Sequence, residues 1–302
     1  MAVSSQDSMP LAARPDLILP DIPKIFQERS RRFADLAVKH PLSDWLIFLG
    51  KLSSIQHDLI QRFPCPMPDH ARLQSALEHR LPPIAASSWI PAPGWRETLA
   101  DLVRELMPHA PPPACETLGR LLSADGNGID TLAKQVLQGE LDGSHAGALI
   151  FIAAALQIHW TALASGLDRK KIAAPLYRGV CPCCGFLPVA GMVRTDGDIP
   201  HRRYLHCALC NTEWNLMRVT CSSCGDTNQI GYYHLEGSDG SVRAETCDNC
   251  HTYLKMIYRE KVPLADPVAD DVASLSLDLL VQEAGYSRTS PNLFFTSSYE
   301  EK

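Results

Sequence analysis

Apolar residues recur at three- and four-residue steps through the first half of the chain and lose that rhythm after Pro175. Ile22, Ile25, Phe26, Phe33, Leu36 and Ala37 predict a first helix that Pro41 ends. A second helix follows, with Ser43 as its expected N-cap and Trp45, Phe48, Leu49, Leu52, Ile55, Leu59 and Phe63 as its apolar stripe. Pro64, Pro66 and Pro68 close it. Shorter helices are expected over 69–80, 94–107, 113–124 and 129–137, and a longer one over 144–167. The prolines fall mostly between these periods, as punctuation between helices.

Beyond Pro175 glycine and cysteine rise, and strand-like pieces such as Tyr253-Leu254-Lys255-Met256-Ile257-Tyr258 replace the helical period. One more helix is expected over 270–284, with Val272, Leu275, Leu279 and Leu280 on one face, before a tail carrying Leu293, Phe294 and Phe295. The predicted organisation is an α+β multidomain chain. A flexible tail (1–20) precedes an all-α N-terminal domain (21–174). Two tandem rubredoxin-like or zinc-ribbon four-cysteine modules (175–219 and 220–262) and a C-terminal helix with its tail (263–302) follow.

A length of 302 residues is about what one hydrophobic core supports at most, which agrees with several units. With 45% hydrophobic and 21% charged residues the chain is not a disordered polyelectrolyte, and a formal charge of −6 argues against a general polyanion binder. The first residues show no basic stretch followed by an apolar run, so no export signal is read there. Ser30-Arg31-Arg32-Phe33 resembles a twin-arginine signal, but Asp35, Lys39, His40 and Asp44 interrupt what would have to be apolar. The longest apolar segment, 146–167, contains Gln157 and His159 and reads as a buried helix, not a membrane insertion. The chain is therefore expected in the cytoplasm, where thiols stay reduced.

That compartment gives meaning to 11 cysteines, nine of which lie between Cys181 and Cys250. Cys65 and Cys115 stand apart, near prolines in segments that read as loops. Four Cys-x-x-Cys pairs occur: Cys181/Cys184, Cys207/Cys210, Cys221/Cys224 and Cys247/Cys250. Shifting the first two pairs by 40 residues lands on the last two without a gap, and Gly185, Gly191, Gly197 and Arg203 land on Gly225, Gly231, Gly237 and Arg243. The array is an internal duplication.

Two cysteines spaced in this way can turn both sulfurs toward one ion, and two such knuckles supply a tetrahedron of thiolates suited to zinc or a single iron. Each half separates its inner cysteines by 22 residues, enough for a hairpin. Repeat symmetry favours one ion per half, held by Cys181, Cys184, Cys207 and Cys210 and by Cys221, Cys224, Cys247 and Cys250. A cross-braced arrangement of alternate pairs would use the same eight ligands. Such ions can be purely structural staples, or they can add a redox or interaction role.

Cys183 has no counterpart, since Ser223 stands at that position, and it reads as a spare thiol. His206 and His251 adjoin knuckles as neighbours of ligands, and His159 reads as a core histidine. No phosphate loop, nucleophile elbow or His-Glu-x-x-His signature is present, so no catalytic residues are assigned and the chain is not read as an enzyme. A zinc-ribbon nucleic-acid binder is one alternative, with Arg202 and Arg203 as phosphate contacts. However, the segment 181–250 carries five Arg/Lys against eight Asp/Glu, and each four-thiolate site adds negative charge. A rubredoxin-like electron carrier is another.

At these residues the chain resembles the formate dehydrogenase accessory protein family (FdhE). The resemblance rests on Cys181-Pro182-Cys183-Cys184-Gly185, Leu205-His206-Cys207-Ala208-Leu209-Cys210 with Trp214, Cys221-Ser222-Ser223-Cys224-Gly225, and Glu245-Thr246-Cys247-Asp248-Asn249-Cys250 followed by Tyr253-Leu254-Lys255. His40-Pro41-Leu42 supports it, as does the ending from Leu277-Asp278-Leu279-Leu280 through Gly285-Tyr286 to Pro291-Asn292. It implies a cytoplasmic assembly factor needed for active, exported, membrane-associated formate dehydrogenases. The implied partner is the catalytic subunit, held before export, and neither nucleic acid nor membrane insertion is part of the reading. The implied cofactors are two metal ions in rubredoxin-like modules, iron favoured by the resemblance and zinc the alternative. The oligomeric state stays open.

Overall fold

The protein, as a computed structural model, is described over residues 16–62, 67–89, 94–141, 143, 145–173, 175, 177–195 and 201–295. Its first half is helical: α1 (Ile25–Ala37), α2 (Ser43–Arg62), α3 (His70–Glu78), α4 (Trp95–Leu106), α5 (Pro112–Ser123), α6 (Gly126–Gln138) and α7 (Ala146–Ser165). The helical periods in the sequence coincide with these elements because each apolar stripe faces the same centre. That centre is α7, packed against α2, α4, α5 and α6. With a mean hydropathy of 1.7 it is apolar enough to cross a membrane, yet it is mostly buried inside the bundle. Asp69 caps α3 and Asp125 caps α6, each accepting a backbone N–H of the first turn.

Ser43 is not the cap of α2. Leu42 fills that place, its carbonyl accepting from Leu46 N–H at 3.0 Å, and Ser43 is already helical. His40 fixes this entry: its Nδ1 accepts from Leu42 N–H at 3.0 Å while its Nε2 donates to the Ala273 carbonyl at 2.9 Å. Cys115 lies in α5, not in a loop, and sits 3.2 Å from the Ala110 carbonyl. Cys65, Phe63, Ser144, Gly197 and the outer parts of both expected tails lie outside the described residues.

The second half forms one sheet from β1 (Leu17–Ile18), β2 (Pro188–Arg194), β3 (Arg202–Cys207), β4 (Glu213–Asn215), β5 (Ile230–Tyr233), β6 (Val242–Cys247) and β7 (Thr252–Tyr258), in the order β1-β4-β3-β2-β7-β6-β5. The 40-residue shift is visible in it. It carries β3 onto β6, and β4 onto the start of β7. The two copies join edge to edge through β2 and β7, which run parallel at Gly191↔Met256 and Val193↔Tyr258. The ideal Cβ of a residue at Gly191 would stand 2.2 Å from Met256 Sδ, so glycine lets the two copies close at this seam.

Residues 17 and 18 depart from the flexible tail expected there: Leu17 pairs with Trp214 and Ile18 with Glu213, closing the far edge of the sheet. The single C-terminal helix is in fact two, α8 (Pro267–Ala273) and α9 (Leu275–Glu283). Ser274 breaks them, its hydroxyl donating to the Asp270 carbonyl at 2.7 Å. The break rotates the apolar face, so Leu277 and Val281 are buried while Leu279 and Leu280 are exposed. Strand β8 (Ser287–Arg288) then lies parallel to β7, and Leu293 and Phe294 return to the core. One hydrophobic core runs from the helices through the first copy of the repeat. A small separate cluster of Ala244, Tyr253, Leu277 and Val281 lies under the second.

Candidate metal centres

Each cysteine knuckle is a tight turn whose geometry the sequence sets. Cys181 N–H bonds the Phe186 carbonyl and Gly185 N–H the Cys181 carbonyl, and the same pair recurs as Cys221 to Asp226 and Gly225 to Cys221. The residue after each knuckle adopts a left-handed backbone: Gly185 (φ 75°), Asn211 (φ 58°), Gly225 (φ 79°) and His251 (φ 52°). The other knuckle of each copy sits on a hairpin, between β3 and β4 and between β6 and β7.

The turns bring the sulfurs together by half. Cys181, Cys184, Cys207 and Cys210 have their four sulfurs within 4.8 Å of one another, as do Cys221, Cys224, Cys247 and Cys250. Across the first group Cys181–Cys210 is 3.5 Å and Cys184–Cys207 is 3.4 Å; across the second Cys221–Cys250 is 3.6 Å and Cys224–Cys247 is 3.7 Å. A tetrahedron with metal–sulfur bonds of 2.3 Å has edges of about 3.8 Å, so the spacing fits one ion per group. The pairing is within each half, and the cross-braced alternative is not formed. Backbone N–H groups already point at the sulfurs, Leu209 and Cys210 toward Cys207, and Ser223 and Cys224 toward Cys221.

The electrostatics also fit a cation. Burial disfavours an isolated thiolate. Cys184 and Cys207 are pushed up by it, whereas hydrogen bonds from Cys183, Cys184, Cys207 and Cys210 overcome it at Cys181 and hold that thiol well below the ordinary range. Four buried sulfurs cannot all ionise side by side unless a divalent or trivalent ion lies among them.

The other singled-out residues take distinct places. Cys183 is fully buried but outside the tetrahedral group; its carbonyl accepts from Ile84 N–H at 3.0 Å, and the Cys184 carbonyl accepts from Ala86 N–H at 2.9 Å. The first knuckle is thereby tied to the helical half. His206 is buried, its Nδ1 3.4 Å from Glu213 and its Nε2 3.2 Å from Asn211 Oδ1. Asn211 in turn takes Arg29 at 2.7 Å and donates to Thr161 at 2.8 Å. His251 is exposed, 6.3 Å from the Tyr286 ring. His159, stacked edge-on against Trp160, is lowered to about 4 by burial and stays neutral.

Sequence reasoning missed the charged pairs that hold the copies in place. Arg203, read as a phosphate contact, is buried and paired with Glu245 of the other copy at 2.7 Å. Arg194 pairs with Glu213 at 2.6 Å, Arg202 with Asp16, and Arg243 lies over the Tyr258 ring. Arg203 and Arg194 thus use their charge inside the fold, while Arg218 stays exposed.

The two copies also touch at Gly179, where an added Cβ would stand 2.0 Å from the Ser222 carbonyl of the second copy's knuckle. Tyr177 Oη donates to that same carbonyl at 2.8 Å. Gly179→Ala is expected to push the second knuckle away and to cost about 1–3 kcal/mol. A thermal melt should show the loss, and an unchanged melting temperature would contradict this packing.

The chain matches three family models in succession: "FdhE, N-terminal" over residues 14–176, "FdhE, central domain" over 180–218 and "FdhE, C-terminal domain" over 219–295. It is 36% identical to the Protein FdhE homolog of Cronobacter sakazakii, over 93% of this chain and 91% of that one. It is 34% identical to Protein FdhE of Escherichia coli O139:H28, over 93% and 91% respectively. The crystal structure of the FdhE protein from Pseudomonas aeruginosa superposes with a TM-score of 0.86 at 34% identity, covering 94% of this chain and 100% of that one.

Proposed function

The chain belongs to the FdhE family, and on that premise we propose that it is a cytoplasmic, non-enzymatic accessory protein required for active formate dehydrogenase. In this reading it binds the catalytic subunit before export, and each four-cysteine group holds one metal ion. The ligands would be Cys181, Cys184, Cys207 and Cys210 in the first copy and Cys221, Cys224, Cys247 and Cys250 in the second. The residue ranges given above for the helical domain, the two modules and the C-terminal segment are part of the same proposal.

The observation that carries the reading is the match along nearly the whole chain, combined with two sulfur tetrahedra of the right size for an ion. Iron is the ion favoured, and four thiolates accept zinc as well. Bound there, the ion would supply a fixed crosslink and, as iron, a one-electron couple. The protein's residues supply the thiolates, the N–H groups directed at them and the buried surroundings of the first site.

Deleting the gene should abolish or strongly reduce formate oxidation in membranes, and restoring the gene should recover it. Unchanged activity in the deletion strain would refute the proposal.

A further inference from the structure

The duplication places two sites of the same ligand set in one molecule, so each position of one can be compared with its copy 40 residues on. Cys181, Cys184, Cys207 and Cys210 are at most 1% exposed and belong to the main hydrophobic core. In the second copy Cys224 is exposed and Cys250 half-buried, and none of the four joins that core. Gly185 is covered, since an added Cβ would meet Pro82 at 3.3 Å. At Gly225 nothing lies within 4 Å. The first knuckle is held by N–H groups of Ile84 and Ala86, while its copy is met by the hydroxyl of Tyr177, which donates to the carbonyls of Ser222 and Ser223, and by the backbone at Gly179.

We propose that the two sites are divided in role: the first is a fixed centre of the fold, and the second is an exchange site at which an external thiol or chelating ligand displaces Cys224 and takes the ion. This inference rests on the metal reading above. The exchange begins with a ligand substitution, in which the metal–Sγ bond of Cys224 breaks as a bond to the incoming donor forms, and it is completed as the bonds to Cys221, Cys247 and Cys250 are replaced in turn by further donors. Each freed thiolate takes a proton from water, and no electron is transferred. Cys224 is the sulfur to leave because it is the most exposed of the four, beside Gly225 where nothing crowds an approach. Its hydrogen bond from Asn249 Nδ2, at 3.5 Å, would stay on the departing thiolate. Release from the first site instead needs the core around α7 and β3 to open, because Gln157 Nε2 donates to the Ala208 carbonyl at 2.7 Å between the two cysteines of that knuckle.

The test uses the full chain loaded with zinc and the chelator 4-(2-pyridylazo)resorcinol. Two equivalents should leave in two phases of equal size, the slow one at least about tenfold slower because it waits for local unfolding. Cys224→Ser should delete the fast phase and leave the slow one. Brief alkylation of the zinc-loaded chain with N-ethylmaleimide, read by peptide mass spectrometry, should label Cys224 before any cysteine of the first site. A single phase for both equivalents, or first labelling within 181–210, would overturn the division of roles. Fewer than two equivalents bound at the outset would overturn the metal reading and the inference with it.

Discussion

Cys181→Ala is expected to remove the ion of the first site and, with it, the stable fold of the whole chain. Binding of a structural zinc contributes about 10–16 kcal/mol in small peptides, whereas a whole domain is stable by only about 5–15 kcal/mol. Here the ion would sit inside the main core, among Leu205, Leu209, Trp214 and Phe186, so its loss cannot be confined to a loop. Three buried thiols would be left without a cation, and the contacts that fix the knuckles to the helices would go with them. Those contacts include Ile84 N–H to the Cys183 carbonyl, with Ile84 itself held by Trp160 Nε1 of α7 at 3.0 Å, and Asn211 to Thr161. The variant should be recovered in low soluble yield, with its melting transition lowered by on the order of 10 °C or more. Cys221→Ala should lose its own ion but keep the helical core folded, with a much smaller shift. Metal content and circular-dichroism melts of both variants test this. Equal melting temperatures for Cys181→Ala and the parent would refute it, as would full metal content in either variant.

The contrast between the two variants follows from what a sequence does and does not carry. The knuckles were legible because Cys-x-x-Cys and the 40-residue shift are patterns in the sequence, and a local pattern dictates a local turn. The helices were legible for the same reason: α7 is apolar on nearly every side, and the stripes of α1 and α2 repeat at helical spacing. The grouping of sulfurs by half followed from symmetry. What symmetry concealed is that the copies differ in their surroundings. Cys184 and Cys224 occupy the same position in the repeat, yet one is in the core and the other in solvent.

The remaining features depend on partners far apart in the chain. Arg29 meets Asp266 across 237 residues, and nothing near either residue announces the pair. The parallel join of β2 to β7 converts two separate modules into one sheet, because edge strands with unpaired N–H and C=O groups close on each other when geometry allows. The helix break at Ser274 was hidden because the apolar spacing on either side remained compatible with one long helix. A single hydroxyl returning to the Asp270 carbonyl decided it.

Lys255→Met is expected to produce the second large loss, without touching either metal group. Lys255 is fully buried on β7 and lies 3.0 Å from Asp271 and 2.5 Å from Asp278. Arg288 completes the square at 2.6 Å and 2.9 Å from the same two carboxylates. Tyr253 Oη donates to Asp278 at 2.7 Å, and Asn292 Nδ2 to Asp271 at 2.7 Å. Tyr253, Lys255, Asp278 and Asn292 all belong to the flanking motifs that resemble the family, and the structure gives them one purpose. They clamp α8, α9 and the returning C-terminal segment onto the seam between the two copies, where Arg288 also reaches the Val189 carbonyl of β2. Removing one cation leaves two buried carboxylates sharing one arginine, a change worth about 3–5 kcal/mol in buried pairs. The pH dependence has a definite sign. Burial would raise Asp271, but Arg288 and Lys255 hold it below its ordinary 3.8. Its ionised form therefore contributes stability that is present above that value and is lost as pH falls through the depressed one. Without Lys255 the Asp271 carboxyl rises and can protonate earlier, which relieves part of the penalty. The gap in urea midpoint between parent and variant should be widest near neutral pH and should narrow as pH falls toward about 4. Both ions should remain bound at neutral pH. A gap that stays constant or widens in acid would show that the cluster is not held by its charges.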